Sequence, residues 1–249
     1  MKCIFDVGMY DGADTKYYLE SGFKVVAVEA NPQLVDQATR KFAAEISSGR
    51  LTCINAAITA DGQAVELRLS GSDLGSSTIF GDRIAQKRPV GAVTVPGVTL
   101  DQLFEQYALP EYLKVDIEGA DRFCVLSLKA GACPAFLSFE IGDDADELLA
   151  HAATVGYRRF KIINQNSFRE LANLRSLSDR VARKLMRYMG YDEPLMIRRA
   201  GRFFVSGHSS GPVPWKSDGR WRSVDETRLL LRGASLPGWN DIHATTHEF

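Results

Sequence analysis

The run Asp6-Val7-Gly8-Met9-Tyr10-Asp11-Gly12 ends an apolar stretch on a carboxylate and then sets two glycines four residues apart. Glycine at such a turn lets backbone approach a ligand where a Cβ would stand in the way. A dinucleotide turn of the Gly-x-Gly-x-x-Gly kind uses a third glycine to seat a pyrophosphate on a helix N-terminus. That glycine is missing, and Asp6 and Asp11 would repel a diphosphate. A cationic, phosphate-free ligand fits better, and S-adenosylmethionine, with its sulfonium, α-ammonium and ribose, has that character. Glu29 follows Gly8 by 21 residues, the position at which doubly wound folds hold ribose hydroxyls on a carboxylate. The plainer alternative is that Glu29 favours the start of the following helix. In Lys114-Val115-Asp116-Ile117-Glu118-Gly119, alternation puts Lys114 and Asp116 on one side. Asp116 and Glu118 then fall at a strand's carboxyl end, where open α/β sheets bind ligands. A buried Lys–Asp pair with a helix cap would explain the same residues structurally.

These residues need a scaffold, and the hydrophobic pattern supplies one. Residues 2–7 and 24–29 read as short buried strands, with a helix over 13–21 that Gly22 stops. Asn31-Pro32 starts a second helix that keeps its spacing to Gly49. A third strand is expected over 51–58, and 63–69 adds a hairpin strand after the Asp61-Gly62 turn. Residues 70–91, rich in Gly, Ser and Asp, form a long loop suited to function. An extended 93–98, a helix over 100–107 capped by Thr99, a strand over 112–116 and a helix over 120–130 follow. A strand over 135–140, a helix over 143–155 and a strand over 157–163 complete an α/β domain with a doubly wound, mostly parallel sheet. Residues 1–165 make up this core.

The tail, 166–249, has a different character. From Phe168 to Met189, apolar residues recur at three- and four-residue steps among arginines, which predicts a basic amphipathic helix or broken helical pair. Residues 202–206 could add a last strand. The Trp-, Pro- and Gly-rich remainder predicts an ordered wrap over the core that helps bind the acceptor. Charge divides the same way: net −9 over 1–157, +8 over 158–202 and zero thereafter. A basic segment after an acidic core suits an anionic or lipid-linked partner, or is simply a solvated helical face. With 45% hydrophobic and 24% charged residues the 249-residue chain is neither disordered nor fibrous. No apolar run reaches the ~18–20 residues that span a bilayer, and Asp6 interrupts the start too early for a signal peptide. Cys3, Cys53, Cys124 and Cys133 form no C-x-x-C pair, so reduced thiols and a cytoplasmic location are expected.

Together, Asp-Val-Gly-x-x-x-Gly, Val-Glu-Ala-Asn-Pro, Asn55-Ala56-Ala57-Ile58, Gly75-Ser76-Ser77-Thr78 and Lys-Val-Asp-Ile-Glu-Gly-Ala-Asp strongly resemble the FkbM-type methyltransferase family over about residues 3–165. The Lys-x-Asp-x-Glu-Gly block is the most specific part. Members often carry Ala-Asn between the glycines, where this chain has Met9-Tyr10-Asp11. The resemblance implies a class I methyltransferase fold and S-adenosylmethionine-dependent O-methylation of carbohydrates or secondary metabolites. It implies that Asp6, Gly8 and Gly12 form the methionine-side loop, with Asp6 or Asp11 near the ammonium. Glu29 would hold the ribose, Asn31 would shape the adenosine pocket, and Ala56, Ala57 and Ile58 would border the adenine. Ser76, Ser77 and Thr78 would close over cofactor or acceptor, and Asp116 and Glu118 would sit near the transferred methyl.

An alcohol's proton is hard to remove at neutral pH, so a positioned carboxylate or a metal is expected. Asp116 and Glu140 end neighbouring strands and could converge at one mouth. They could act there as general base and orienter, or as hard ligands for Mg²⁺, which is not favoured. His243, in Asp-x-His near the end, is a further candidate base. An RNA- or nucleotide-directed methyltransferase is the alternative that the basic segment suggests, but interleaved aromatics for base stacking are lacking. A non-catalytic cofactor-binding module is disfavoured by the intact Gly8, Gly12, Glu29 and Asp116. A nicotinamide-dependent oxidoreductase is disfavoured by the absent third glycine.

Overall fold

The computed structural model describes residues 1–71, 74–80, 89–171, 196–233 and 238–248. In chain order its strands are β1 (Cys3–Val7), β2 (Lys24–Glu29), β3 (Leu51–Asn55), β4 (Ala57–Ile58), β5 (Val65–Ser70), β6 (Pro89–Val95) and β7 (Gly97–Val98). Then come β8 (Tyr112–Val115), β9 (Phe136–Glu140), β10 (Arg159–Asn164), β11 (Arg169–Glu170), β12 (Met196–Arg199), β13 (Arg202–Val205) and β14 (Asn240–Thr245). Eight of them form one sheet in the order β11-β10-β14-β9-β8-β1-β2-β3. Neighbours from β9 to β3 pair in parallel, and β14 runs antiparallel to both β9 and β10. The strand order reverses between β1 and β8, so their carboxyl ends flank the crevice where such sheets take ligands.

Side chains alternate across each strand, and the two faces differ. Phe5, Val7, Leu113, Val115, Leu137, Phe139, Ile242 and Ala244 make one apolar face. Helices α4 (Leu100–Tyr107) and α6 (Ala145–Val155) cover it with Leu100, Leu103, Leu148 and Leu149. Ile4, Tyr112 and Phe136 lie on the other face, packed with Tyr18 of α1 (Ala13–Glu20) and with Phe204 and Val213 from the tail. That second face also buries a polar row. Asp6, Lys114, Ser138, His243 and Lys161 are successive register partners across five strands, and none is more than 3% exposed. The tail is what dries this row.

Local signals act as their chemistry requires. The Asn31 side chain accepts from the Gln33 N–H at the start of α2 (Pro32–Lys41), and Thr99 and Gln102 form a reciprocal capping box on α4.

Several expected elements are rebuilt by packing. The helix expected to run to Gly49 breaks at Phe42 and resumes as α3 (Ala43–Ser47), because the Phe42 ring is buried beside the turn at Gly12. The strand expected over 51–58 ends at Asn55, and Ala57–Ile58 instead pairs with Gly97–Val98. The hairpin strand β5 finds its partner in β6, so strand pairing enters the expected long loop at Pro89. The helix expected over 120–130 is a short α5 (Asp121–Val125). Residues 202–206 do not join the main sheet: β13 pairs with β12 in a separate ribbon. From the basic stretch, Arg169–Glu170 is strand rather than helix, and 172–195 lie outside the described residues. The final helix is α7 (Val224–Gly233), and β14, unanticipated, supplies a central strand. No described helix is long and apolar enough to cross a membrane.

Candidate active site

The turn after β1 is held by backbone. The Gly8 and Met9 N–H groups both donate to Val28 O, and the Asp116 N–H donates to Val7 O. Gly8 has φ +84°, and a Cβ there would stand 1.8 Å from Asp116 O. Only glycine permits this approach between the ends of β1 and β8.

Beside that contact opens a cleft with two lobes. The first encloses about 520 Å³ and is lined by Gly8, Glu29, Ala57, Ser77, Asp116 and Glu118 together with apolar Val28, Ile58, Leu67 and Ile79. The second encloses about 680 Å³, shares Gly8, Glu29, Asp116 and Glu118, and adds Tyr10, Asp14, Lys114, Glu140, Gln165, His208, Ser209 and Trp239. Of the sequence candidates, Gly8, Glu29, Ala57, Ser77, Asp116, Glu118, Lys114 and Glu140 therefore meet here.

Glu29 ends β2 with one carboxylate oxygen accepting from the Tyr10 N–H (2.9 Å) and the other from the Asn31 N–H (2.8 Å). Burial pushes its pKa up against the pull of these two donors. The Asn55 side chain donates to Glu29 O and Ala30 O and fixes the chain just beyond. Lys114 donates to Gly8 O at 2.6 Å and lies 3.2 Å from Asp6 and 3.9 Å from Asp116. Burial alone would weaken its ammonium, but Asp6, Asp116 and Asp14 raise its pKa above the usual lysine range. It is a fixed positive charge beneath the cleft. Over the first lobe, Gly75 packs against the Tyr10 ring, and the Thr78 hydroxyl donates to Glu118 O (3.2 Å). Tyr10 and Glu118 hold left-handed backbone, φ +51° and +52°, a cost that non-glycine residues carry chiefly at sites.

Asp6, Asp11, Gly12 and Asn31, expected to touch a cofactor, line neither lobe. Asp6 is fully buried and accepts from Thr15 Oγ1 (2.6 Å) beside Lys114, so it supports the floor. Asp11 accepts from the Ala13 N–H at the start of α1, and Gly12 turns the chain there at φ +75° against Phe42. Asn31 is a buried helix cap. His243 is buried in β14, with Nδ1 3.2 Å from Ser217 Oγ and away from both lobes. Burial, then Lys161, holds its pKa well below the usual histidine value. Among the described residues no group of three or more His, Cys, Asp or Glu side chains could hold a metal ion.

Several lining residues escaped the sequence analysis. Gln165, His208, Ser209 and Trp239 come from the end of β10 and from the tail. Asp14, also overlooked, sits in the first turn of α1, 4% exposed. It accepts from the Ser209 hydroxyl and from the Ser210 N–H (2.9 Å). Burial pushes Asp14 up to about 7, with Asp6 adding to the effect and Lys114 opposing it. Gln165 donates to Asp241 Oδ1 at 2.7 Å. Burial and then Asp116 carry the Asp241 carboxyl well above its usual range. The Trp-, Pro- and Gly-rich composition of the tail and the Asp-x-His of β14 hinted at contacts with the core, but not at which residues would make them.

Comparison with known proteins follows this geometry. The chain is 12% identical to a TehB-like SAM-dependent methyltransferase from Corynebacterium glutamicum over 65% of its own length and 68% of that chain, with a TM-score of 0.35. It is 12% identical to a SAM-dependent methyltransferase from Thiobacillus denitrificans in complex with S-adenosyl-L-homocysteine (99% of this chain, 85% of that one, TM-score 0.35). A similar complex from Geobacter sulfurreducens gives 13% identity, the same coverage and a TM-score of 0.36. No curated protein matches the chain. The model of the methyltransferase FkbM domain matches residues 6–181, and on that match the chain belongs to the FkbM methyltransferase family.

Proposed function

We propose that the protein is an S-adenosylmethionine-dependent O-methyltransferase acting on a hydroxyl of a carbohydrate or similar polyhydroxylated metabolite. The observation that carries this is Glu29: a carboxylate at the end of β2, lining a cleft whose neck is the backbone contact of Gly8 with Asp116. The lining fits the cofactor. Ala57, Ile58 and Leu67 offer an apolar slot for an adenine, and Glu29 keeps acceptor capacity for two ribose hydroxyls. Asp116, Glu118 and Glu140 suit a cation and would repel a pyrophosphate. Ser77 and Thr78 stand over the first lobe, where they would cover the bound adenosine. When bound, S-adenosylmethionine supplies a sulfonium methyl that transfers as the carbon–sulfur bond breaks and its electron pair stays on sulfur.

The chain's work is then alignment of the acceptor oxygen. Asp116, Glu140 and Gln165 present hydrogen-bonding groups to the second lobe, and the Trp239 ring, 56% exposed, stands beside them. An exposed indole next to carboxylates and an amide suits the alternating apolar and hydroxyl faces of a sugar ring. The acid-rich lining favours a neutral acceptor over an anionic one at this point. Lys114, tied to Gly8 and Asp6, braces the floor without reaching out as a base. All four cysteines are free thiols, which supports a reducing compartment such as the cytoplasm.

Calorimetric titration with S-adenosylmethionine, S-adenosylhomocysteine and NAD⁺ tests the assignment. The first two should bind and NAD⁺ should not. Binding of NAD⁺ alone would refute it.

A further inference from the structure

The second lobe is walled on one side by a loop that has no counterpart in the expected core. It runs from Ser206 to Gly211, directly after β13. Its ties are numerous for so short a segment. The Ser206 hydroxyl donates to Asn166 O (2.9 Å), the His208 N–H to Val205 O (3.2 Å) and the Gly211 N–H to Ser209 Oγ (2.9 Å). Ser209 and Ser210 both donate to Asp14. Burying a carboxylate is costly unless it is hydrogen-bonded, and both hydrogen bonds found for the Asp14 side chain are spent on this loop.

The loop presents a single titratable side chain to the lobe. Of the chain's four histidines, only His208 lines the cleft. Its side chain is 35% exposed, its Nδ1 lies 3.5 Å from Asp11 Oδ2, and its ring sits 5.4 Å from that of Tyr10. Asp11 in turn is held at the start of α1, and Lys41 Nζ donates to its carbonyl (2.7 Å). An imidazole in the wall of a substrate lobe, with one nitrogen paired to a carboxylate, is an arrangement by which proteins position a base. The rival carboxylate Asp116 lies 3.9 Å from the Lys114 ammonium, so one of its oxygens is turned toward the floor of the cleft.

We propose that His208 is the base that takes the proton from the acceptor hydroxyl, with Asp11 orienting its ring and Asp14 as the positioning residue that holds its loop against the lobe. This rests on the assignment of hydroxyl methylation. As the hydroxyl oxygen gives an electron pair to the methyl carbon, its proton passes to His208. The bonding pair of the broken carbon–sulfur bond remains on sulfur. The resulting imidazolium has the Asp11 carboxylate beside it as counter-charge.

The test needs no identified acceptor. Sinefungin carries an amine where the transferred methyl sits, whereas S-adenosylhomocysteine has nothing there. Calorimetry with both compounds should show His208→Ala and His208→Phe weakening sinefungin at least tenfold and S-adenosylhomocysteine less than twofold. The Phe variant keeps the ring against Tyr10, so a collapsed loop would not mimic the effect. Asp14→Ala should produce the same selective loss, and should add little further in combination with His208→Phe. The His208 ring signal in a ¹H–¹³C spectrum should move with sinefungin and not with S-adenosylhomocysteine. If the wild type binds S-adenosylhomocysteine but the variants lose both compounds equally, or neither, the role of His208 is overturned while the cofactor assignment stands. If the wild type binds neither compound, both fall together.

Discussion

Gly8 carries more of the site than any side chain, because what it contributes is absence. A methyl group there would meet Asp116 O at 1.8 Å, whereas Gly22, with a similar φ of +88°, has nothing within 4 Å of its own Cβ position. The pair separates clash from backbone strain. Gly22→Ala should cost about 1–2 kcal/mol of stability, the price of left-handed backbone, and leave S-adenosylhomocysteine binding intact. Gly8→Ala should lose that binding by a hundredfold or more; equal affinity in the two variants would contradict the close approach. Asp14 makes a second residue-scale prediction. Its carboxyl is raised to about 7 in the fold, mainly by burial, against about 4 in an unfolded chain. It therefore supports the fold fully at low pH, and that support is lost as pH rises through about 7. Relative to wild type, Asp14→Asn should gain stability between about pH 4 and pH 7 and level off above, by at most about 1.4 kcal/mol per pH unit. Melting temperatures of the two that stay parallel across this range would rule the raised carboxyl out.

Among the elements, the ribbon of β12 and β13 links tail to core. Phe204 is 4% exposed, with its ring 4.9 Å from Tyr17 of α1 in an edge-on contact and 5.5 Å from Phe168. Phe204→Ala should destabilise the protein by about 3–5 kcal/mol, seen as an early unfolding midpoint in urea. A change under 1 kcal/mol would mean that the ribbon is not docked there. Elements with strong local signals were legible in the sequence. β2 is apolar and β-branched, α2 and α4 have side-chain caps, and β8 is followed directly by the cleft-lining carboxylate of Asp116. Elements shaped by distant partners were not. The break at Phe42 answers to Gly12, thirty residues away, and β4 leaves the third strand to pair with β7. The candidate site divides the same way. Glu29, Asp116 and Glu140 follow from strand ends, while Asp14, Gln165, His208 and Trp239 gain meaning only when the tail folds back.

Across the whole molecule, the sheet hides polar residues on a face that alternation alone would turn to solvent. β14 reads Asn-Asp-Ile-His-Ala-Thr, and its Asp241 and His243 are buried because the tail covers the side of the sheet they share with Lys114. Trp215 seals that cover against Phe23, Tyr112 and Phe136. The tail is thus both a wall of the second lobe and a central strand. The central claim is that the mouth between β1, β2 and β8 accepts a cationic adenosine compound through Glu29 and bare backbone at Gly8. A crystal structure with S-adenosylhomocysteine tests it most directly. The ribose hydroxyls should lie on the Glu29 carboxylate with the adenine beside Ala57; an empty cleft, or a nucleotide held there by its pyrophosphate, would contradict the account.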